Sequence, residues 1–184
     1  MTQPLLTVES LNGGFATRSG IVQAATDINF EIFPGEVLAV IGESGSGKSV
    51  TAPALMRLHP ENTIITGNVN FDGHDLLNMS DRDMRAIRGS DVAMIFQDPM
   101  TAMNPVFSVG NQIVETIRVH DSSVSKQEAW TKAVDLLKLV GVPEPKQRAS
   151  QYPHEYSGGM RQRAMIAMAI ANDPKLLIAD EPTT

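Results

Sequence analysis

The sequence predicts an α/β fold: a phosphate-loop core with a parallel sheet, an N-terminal antiparallel β portion and a helical insert. Three observations predict it. Gly42-Glu43-Ser44-Gly45-Ser46-Gly47-Lys48-Ser49 fits the pattern G-x-x-x-x-G-K-[ST] without a mismatch, between a β-prone run and a helical one. Leu176-Leu177-Ile178-Ala179 is a continuous apolar run, as in a strand covered on both faces, and it ends in Asp180-Glu181. Between them, from about Val109 to Ser150, apolar residues recur at helical spacing.

The elements follow in order. Thr7–Leu11, Ile21–Ala25 and Ile28–Ile32 read as short strands separated by turn residues, and Glu36–Ile41 as the strand leading into the glycine-rich loop. Val50–Leu58 reads as the helix after that loop. Pro53 lies past the first turn, where proline is tolerated, so a distorted turn is expected there. Val69–Asp72 alternates and ends at Gly73; Asp91–Phe96 is a further strand, ending at Gln97-Asp98-Pro99. Ser125-Lys126-Gln127-Glu128 is a capping box, followed by Ala129, Ala133, Leu136, Leu137 and Val140 on one helical face. Trp130 in this helix is assigned to packing. Gly141 and Pro143 close it. Gly158–Asn172 is a small-residue helix that leads through Asp173-Pro174 into the strand at 176–179.

Composition narrows the function classes. The chain has 184 residues, 42% hydrophobic and 20% charged, as in an ordinary globular domain with a sizeable core. A net charge of −6 argues against wide contact with nucleic acid. With no cysteine there is neither a disulfide framework nor a thiolate metal site, which suits a reducing cytosol. No apolar run approaches the ~20 residues that span a bilayer. Met1-Thr2-Gln3-Pro4 lacks the features of a signal peptide, so membrane association is expected through a partner.

The chemistry lies in the loops. A strand turning through glycines into a helix aims backbone N–H groups and the positive end of the helix dipole at one point, which suits a polyphosphate. Lys48 can reach the β- and γ-phosphates, and the Ser49 hydroxyl can ligate Mg²⁺. Two adjacent carboxylates at the end of a strand are costly unless hydrated, metal-bound or reactive. In a triphosphatase, Asp180 can hold the Mg²⁺ shell and Glu181 can polarise the attacking water. Tyr156-Ser157-Gly158-Gly159-Met160-Arg161-Gln162-Arg163 offers a hydroxyl and bare amides at a second helix start; in isolation it also reads as a simple N-cap by Ser157. His154 has no ligand companions at metal spacing and is assigned to structure.

In this order the segments resemble the ATP-binding-cassette (ABC) ATPases, whose signature is commonly Leu-Ser-Gly-Gly-Gln. Here Tyr156 and Met160 replace the Leu and Gln, and Ser157 stands about 23 residues before Asp180. Gln97 matches the family's Q-loop glutamine. The stretches Ile95–Pro105, Tyr152–Arg163 and Gly42–Val50 look like the ATPase subunits of oligopeptide and dipeptide (peptide/nickel) importers.

The resemblance implies one nucleotide-binding domain over 1–184: β subdomain and phosphate-loop core to about 99, helical subdomain at about 100–155, signature helix and acidic strand at 156–184. It implies ATP and Mg²⁺ as cofactors. Gly42, Glu43, Ser44, Gly45, Ser46, Gly47, Lys48 and Ser49 would cradle the phosphates, while Ser49, Gln97 and Asp180 would hold the metal, with Gln97 and Glu181 catalytic. Ser157, Gly158 and Gly159 would close on the ATP of a second ATPase subunit, identical or not, packed head to tail. Phe15 falls where the family stacks an aromatic on adenine; a core phenylalanine is an equal reading.

The implied partners are integral membrane permease subunits and, indirectly, an extracytoplasmic substrate-binding protein, at the cytoplasmic face of the membrane. No nucleic acid is expected. The family's later aspartate loop, γ-phosphate histidine, last core strands and any iron–sulfur extension would follow Thr184, so a C-terminally truncated chain of weak activity is expected. A soluble ABC ATPase acting on ribosomes or DNA shares every nucleotide motif; a P-loop kinase explains neither the signature nor its spacing.

Overall fold

The computed structural model describes residues 3–43 and 47–181. The chain divides into two compact units, residues 1–85 and 86–184.

The first unit is built on an antiparallel sheet of β1 (Leu6–Thr17), β2 (Gly20–Ile32), β3 (Thr63–Phe71) and β4 (His74–Asp75), in the order β2-β1-β3-β4. Arg18-Ser19 forms the turn of the first hairpin, where the Thr17 hydroxyl donates to the Gly20 carbonyl at 2.6 Å. Leu6, Val8, Leu11, Val69, Phe71 and Leu76 form the apolar side and are buried. Alternation alone would put Leu11 on the opposite face from Leu6 and Val8. A register shift between Val8 and Leu11 restores it to the core.

That shift explains why the reading of three short strands fails. β1 and β2 run on through Ser10 (φ 46°) and Asp27 (φ 48°), both in the left-handed region. Asn29 Oδ1 accepts from the Ser10 amide at 2.7 Å, and Asn12 Oδ1 accepts from the Asp27 amide at 3.0 Å. Residues that look like turn formers in the sequence thus supply the bonds that the bulged ladder omits.

Two further expectations change. Glu36–Ile41 is not a strand: it has no ladder partner among the described residues, and Val37 and Ile41 are 92% and 93% exposed. Apolar, β-prone composition does not make a strand without a neighbour to pair with. The following helix, α1 (Lys48–Leu55), starts earlier and ends sooner than the predicted Val50–Leu58. Pro53 has no N–H to give to the preceding turn, and its own carbonyl accepts from Met56 and Leu58 at 3.1 and 2.9 Å as the helix closes. A helix unmarked in the sequence, α2 (Asp81–Ile87), begins where the Ser80 hydroxyl accepts from the Asp83 amide at 3.2 Å.

In the second unit β5 (Val92–Ile95) and β6 (Leu176–Ala179) pair in parallel, Val92 with Leu176 through Ile95 with Ala179. Around them lie α3 (Pro99–Ala102), α4 (Val109–His120), α5 (Lys126–Leu139), α6 (Pro145–Arg148), a 3₁₀ turn (Pro153–Glu155) and α7 (Gly158–Ala169). Strand β5 is buried throughout, but Leu177 of β6 is 41% exposed. Coverage of both faces is therefore realised in β5 and not in β6, whose one ladder partner among the described residues is β5.

The predicted capping box is present: Ser125 Oγ accepts from the Glu128 amide at 3.2 Å, and Glu128 Oε2 accepts from the Ser125 amide at 2.9 Å. Helix α5 buries Ala129, Ala133, Leu136 and Leu137 as its spacing requires, with Trp130 packed beside them. Full burial of Leu137 contributes about 2 kcal/mol. Val109, Ile113 and Ile117 of α4 meet Ala164 and Ala167 of α7 in the same core.

The bulge in β1 yields a stability prediction. Gly67 has φ 119°, and a Cβ there would lie 2.6 Å from the Ser10 carbonyl oxygen and 2.7 Å from Leu11 Cα. Gly73 has φ 83° but open space around it. Gly67→Ala is expected to cost roughly 3 kcal/mol, backbone strain plus collision, against roughly 1 kcal/mol for Gly73→Ala. Urea unfolding of the two variants measures the difference.

Candidate functional site

In the first unit the site is the start of α1. Gly47 is its N-cap at φ 92°, and a Cβ there would collide with the Ala24 carbonyl of β2. Only glycine lets the loop press this closely on the sheet. The amides of Val50 and Thr51 both donate to the Gly47 carbonyl at 3.0 Å, fixing the first turn. Among the described residues no side chain caps this helix, in contrast to α5 and α7.

The Lys48 ammonium turns back over the loop and donates to the Gly42 carbonyl and, at 2.8 Å, to that of Glu43. An uncapped helix N-terminus with a lysine ammonium folded over the same loop fits the phosphates of a nucleotide. Ser44, Gly45 and Ser46, and the side chain of Ser49, lie outside the described residues. Phe15 is half-buried in β1, opposite Val22 and Thr63. It stands two residues from Gly13, where a Cβ would lie 2.8 Å from Val50 Cγ1 of α1.

In the second unit the parallel ladder brings three predicted residues to one end. The Asp180 amide donates to the Ile95 carbonyl at 3.0 Å, and Gln97 Nε2 donates to Glu181 Oε2 at 2.7 Å. Asp180 is half-exposed and Glu181 exposed, so the paired acids are solvated and avoid the penalty of burial. Carboxylate oxygens and an amide oxygen are the ligand types that a hard cation such as Mg²⁺ takes.

Ser157 caps α7, its Oγ accepting from the Met160 amide at 3.3 Å. Gly158 and Gly159 are exposed, with nothing within 4 Å of where a Cβ would stand. Nothing in this chain's own packing therefore demands glycine there. His154 stacks on Tyr152, ring centroids 5.6 Å apart, and among the described residues no group of three potential ligands gathers around a metal position.

Two contributors were not legible in the sequence. Gln112 is buried within α4; its Oε1 accepts from the Asn104 amide, and its Nε2 donates to the carbonyls of Asn104 and Phe107, at 2.9, 2.9 and 3.0 Å. This fixes the segment that follows α3. Tyr156, standing where the signature commonly has leucine, is buried, and its hydroxyl donates to the Arg148 carbonyl at 2.9 Å. A polar residue within an apolar stripe carries no sequence signal of such bonds; an aromatic just ahead of Ser-Gly-Gly could have suggested the anchor.

The family described as ABC transporter matches residues 25–184. The chain is 52% identical over 182 residues to the oligopeptide transport ATP-binding protein OppD of Bacillus subtilis, covering 98% of this chain and 51% of that protein. It is 47% identical over 184 residues to the dipeptide transport ATP-binding protein DppD of the same organism, covering 99% of this chain and 55% of that one. It thus spans about half the length of the curated relatives it matches. Among solved structures, the dimeric post-hydrolysis state of the ATP-binding cassette MJ0796 bound to ADP and Pi aligns with a TM-score of 0.86 at 26% identity. That alignment covers 97% of this chain and 74% of that chain. The α/β class read from the sequence agrees with this likeness.

Burial pushes the Tyr156 hydroxyl up from the ordinary 10.0 to about 12, against a smaller opposing pull from Arg148. In the unfolded chain the phenol ionises first, so this group's contribution is complete below pH 10 and is lost as pH rises towards 12. Tyr156→Phe is expected to cost about 1 kcal/mol at neutral pH through the lost hydrogen bond. It should also flatten the decline of stability between pH 10 and 12, measured by denaturation across that range.

Proposed function

The chain belongs to the ABC transporter family, and from that premise we propose that it is the ATP-binding and ATP-hydrolysing part of an importer that takes peptides across a membrane. The observation that carries the nucleotide reading is the start of α1: Gly47 held against β2 and the Lys48 ammonium folded back onto the carbonyls of Gly42 and Glu43. Peptide as cargo rests on the transport names of the relatives at 52% and 47% identity.

In this reading the loop from Gly42 to Ser49 holds the phosphates, Phe15 offers a face to the base, and Ser49, Gln97 and Asp180 hold Mg²⁺. ATP would supply the phosphoryl group that passes to water, and Mg²⁺, when bound, would offset the charge of the phosphates. Glu181 orients the water and accepts its proton. Lys48 contributes a fixed positive charge, and α1 the amides of its first turn.

The exposed Gly158 and Gly159 leave backbone open beside Ser157, which suits close approach by the nucleotide of a second, facing ATPase domain. No helix among the described residues is long and apolar enough to cross a membrane. Contact with the membrane would therefore run through permease subunits docked on the helical unit, on the cytoplasmic side, with a substrate-binding protein on the other.

Two substitutions in the full-length protein test the reading. Lys48→Ala is expected to weaken Mg²⁺-dependent binding of a fluorescent ATP analogue by at least about tenfold, ~1.4 kcal/mol. Equal affinities would remove the loop from the site. Glu181→Gln is expected to keep binding while turnover falls by roughly 100-fold or more, because the amide cannot take the proton. Normal phosphate release from that variant would rule out Glu181 as the base.

A further inference from the structure

Helix α7 starts on two glycines that have open space around them, so their placement is set from the flanks. On one flank stands Tyr156, 2% exposed and packed in the core of the second unit. Its hydroxyl donates to the Arg148 carbonyl at 2.9 Å, and its amide donates to the Pro153 carbonyl at 3.2 Å. On the other flank, one turn into α7, Arg161 Nε donates to the same Pro153 carbonyl at 2.9 Å, while the Arg161 amide donates to the Ser157 carbonyl at 2.9 Å.

The segment that accepts from Tyr156 is itself tied down. The carbonyls of Ala149 and Gln151 accept from the amides of Gly110 and Val109 at the start of α4, at 2.8 and 2.9 Å. A Cβ on Gly110 would stand 2.7 Å from the Ala149 oxygen, so helix and segment meet there as closely as glycine allows. Burial holds the Tyr156 ring in the core, and the hydroxyl fixes its distance from Arg148. Leucine, which the signature commonly has at this place, could fill apolar space but has no atom to bond that carbonyl. Ser157 follows directly. Its Oγ accepts from the Met160 amide, and the hydroxyl still has its proton to donate outward.

Resting on the reading in which Ser157, Gly158 and Gly159 meet the nucleotide of a facing ATPase domain, we propose that Tyr156 is a positioning residue for that contact. Its hydroxyl, bonded to the Arg148 carbonyl, sets where the Ser157 hydroxyl and the glycine amides stand. Contacts of this kind need their groups held to about 0.5 Å. Without the hydroxyl, α7 keeps its cap and its core packing but loses that reference, and the facing nucleotide is held less tightly.

The test uses the full-length protein with Tyr156→Phe, which removes one oxygen and leaves the ring. The KM for ATP in steady-state phosphate release is expected to rise roughly three- to tenfold, the range that one lost hydrogen bond gives, with kcat changed less. A merely structural role would lower the folded fraction, and with it the apparent kcat, and leave KM where it was. Tyr156→Leu is the second variant: it lacks the same oxygen and should raise KM at least as far. An unchanged KM in either folded variant overturns the proposal.

Gly158→Asp tests the underlying reading separately. The space around Gly158 is open, and an aspartate in the first turn of a helix is favoured by the dipole, so the fold should be kept. Its carboxylate would repel a phosphate, and turnover should fall at least about tenfold. Normal turnover in Gly158→Asp removes the reading and the proposal with it. Reduced turnover there, with an unchanged KM in Tyr156→Phe, removes the proposal alone.

Discussion

The second unit depends on the short parallel ladder between β5 and β6. Gln97 and Glu181, which meet just past its end, are separated by 84 positions in the chain. Closing so long a loop is not the main obstacle, since each doubling of length adds only about 0.6 kcal/mol. Four paired residues on each side are a small interface, however, and one edge of β6 has no ladder partner among the described residues. Stability comes from the helices that close over β5: Ala93 and Ile95 share one core with Ile113, Ile117, Ala164 and Ala167. Asn172 helps fasten the same region, its amide donating to the carbonyls of Gly89 and Thr116 at 2.7 and 3.1 Å. The Lys175–Asp91 ion pair at 3.3 Å is half-exposed and adds little.

How much of this could be read beforehand depended on whether the information was local. The Ser125–Glu128 box and the apolar face of α5 each lie within one helix, and the sequence carries them intact. Pairing is not local. Glu36–Ile41 has the composition of a strand and no partner among the described residues, whereas Leu6–Thr17 contains turn-like residues and is one strand because β2 and β3 flank it. For the candidate site, the identities of Gln97, Asp180 and Glu181 were legible; the contact between Gln97 and Glu181 followed only once the parallel register was known.

Much of what escaped the sequence is one physical device, the side-chain amide standing in for backbone. Asn12 and Asn29 complete the bulged edge of β1 and β2, Gln112 binds the chain after α3, and Asn172 ties the turn at Gly89 to helix α4. Asparagine and glutamine carry a donor and an acceptor like the peptide group itself, so they can satisfy backbone groups wherever a regular ladder is interrupted. In a sequence these residues look like surface or turn positions, because the groups they serve are fixed only by the tertiary fold.

The Gln112 clamp has a mechanical consequence. Beside the carbonyl groups it holds, Val106 is 68% exposed and Phe107 50% exposed. Apolar side chains on an unrestrained loop would have to be immobilised by whatever touched them, at an entropic cost of the order of 1 kcal/mol per ordered residue. Here the backbone share of that ordering was completed when the chain folded. A partner that covers Val106 and Phe107 would thus have side chains to order, on a backbone already tied to α4 through Gln112.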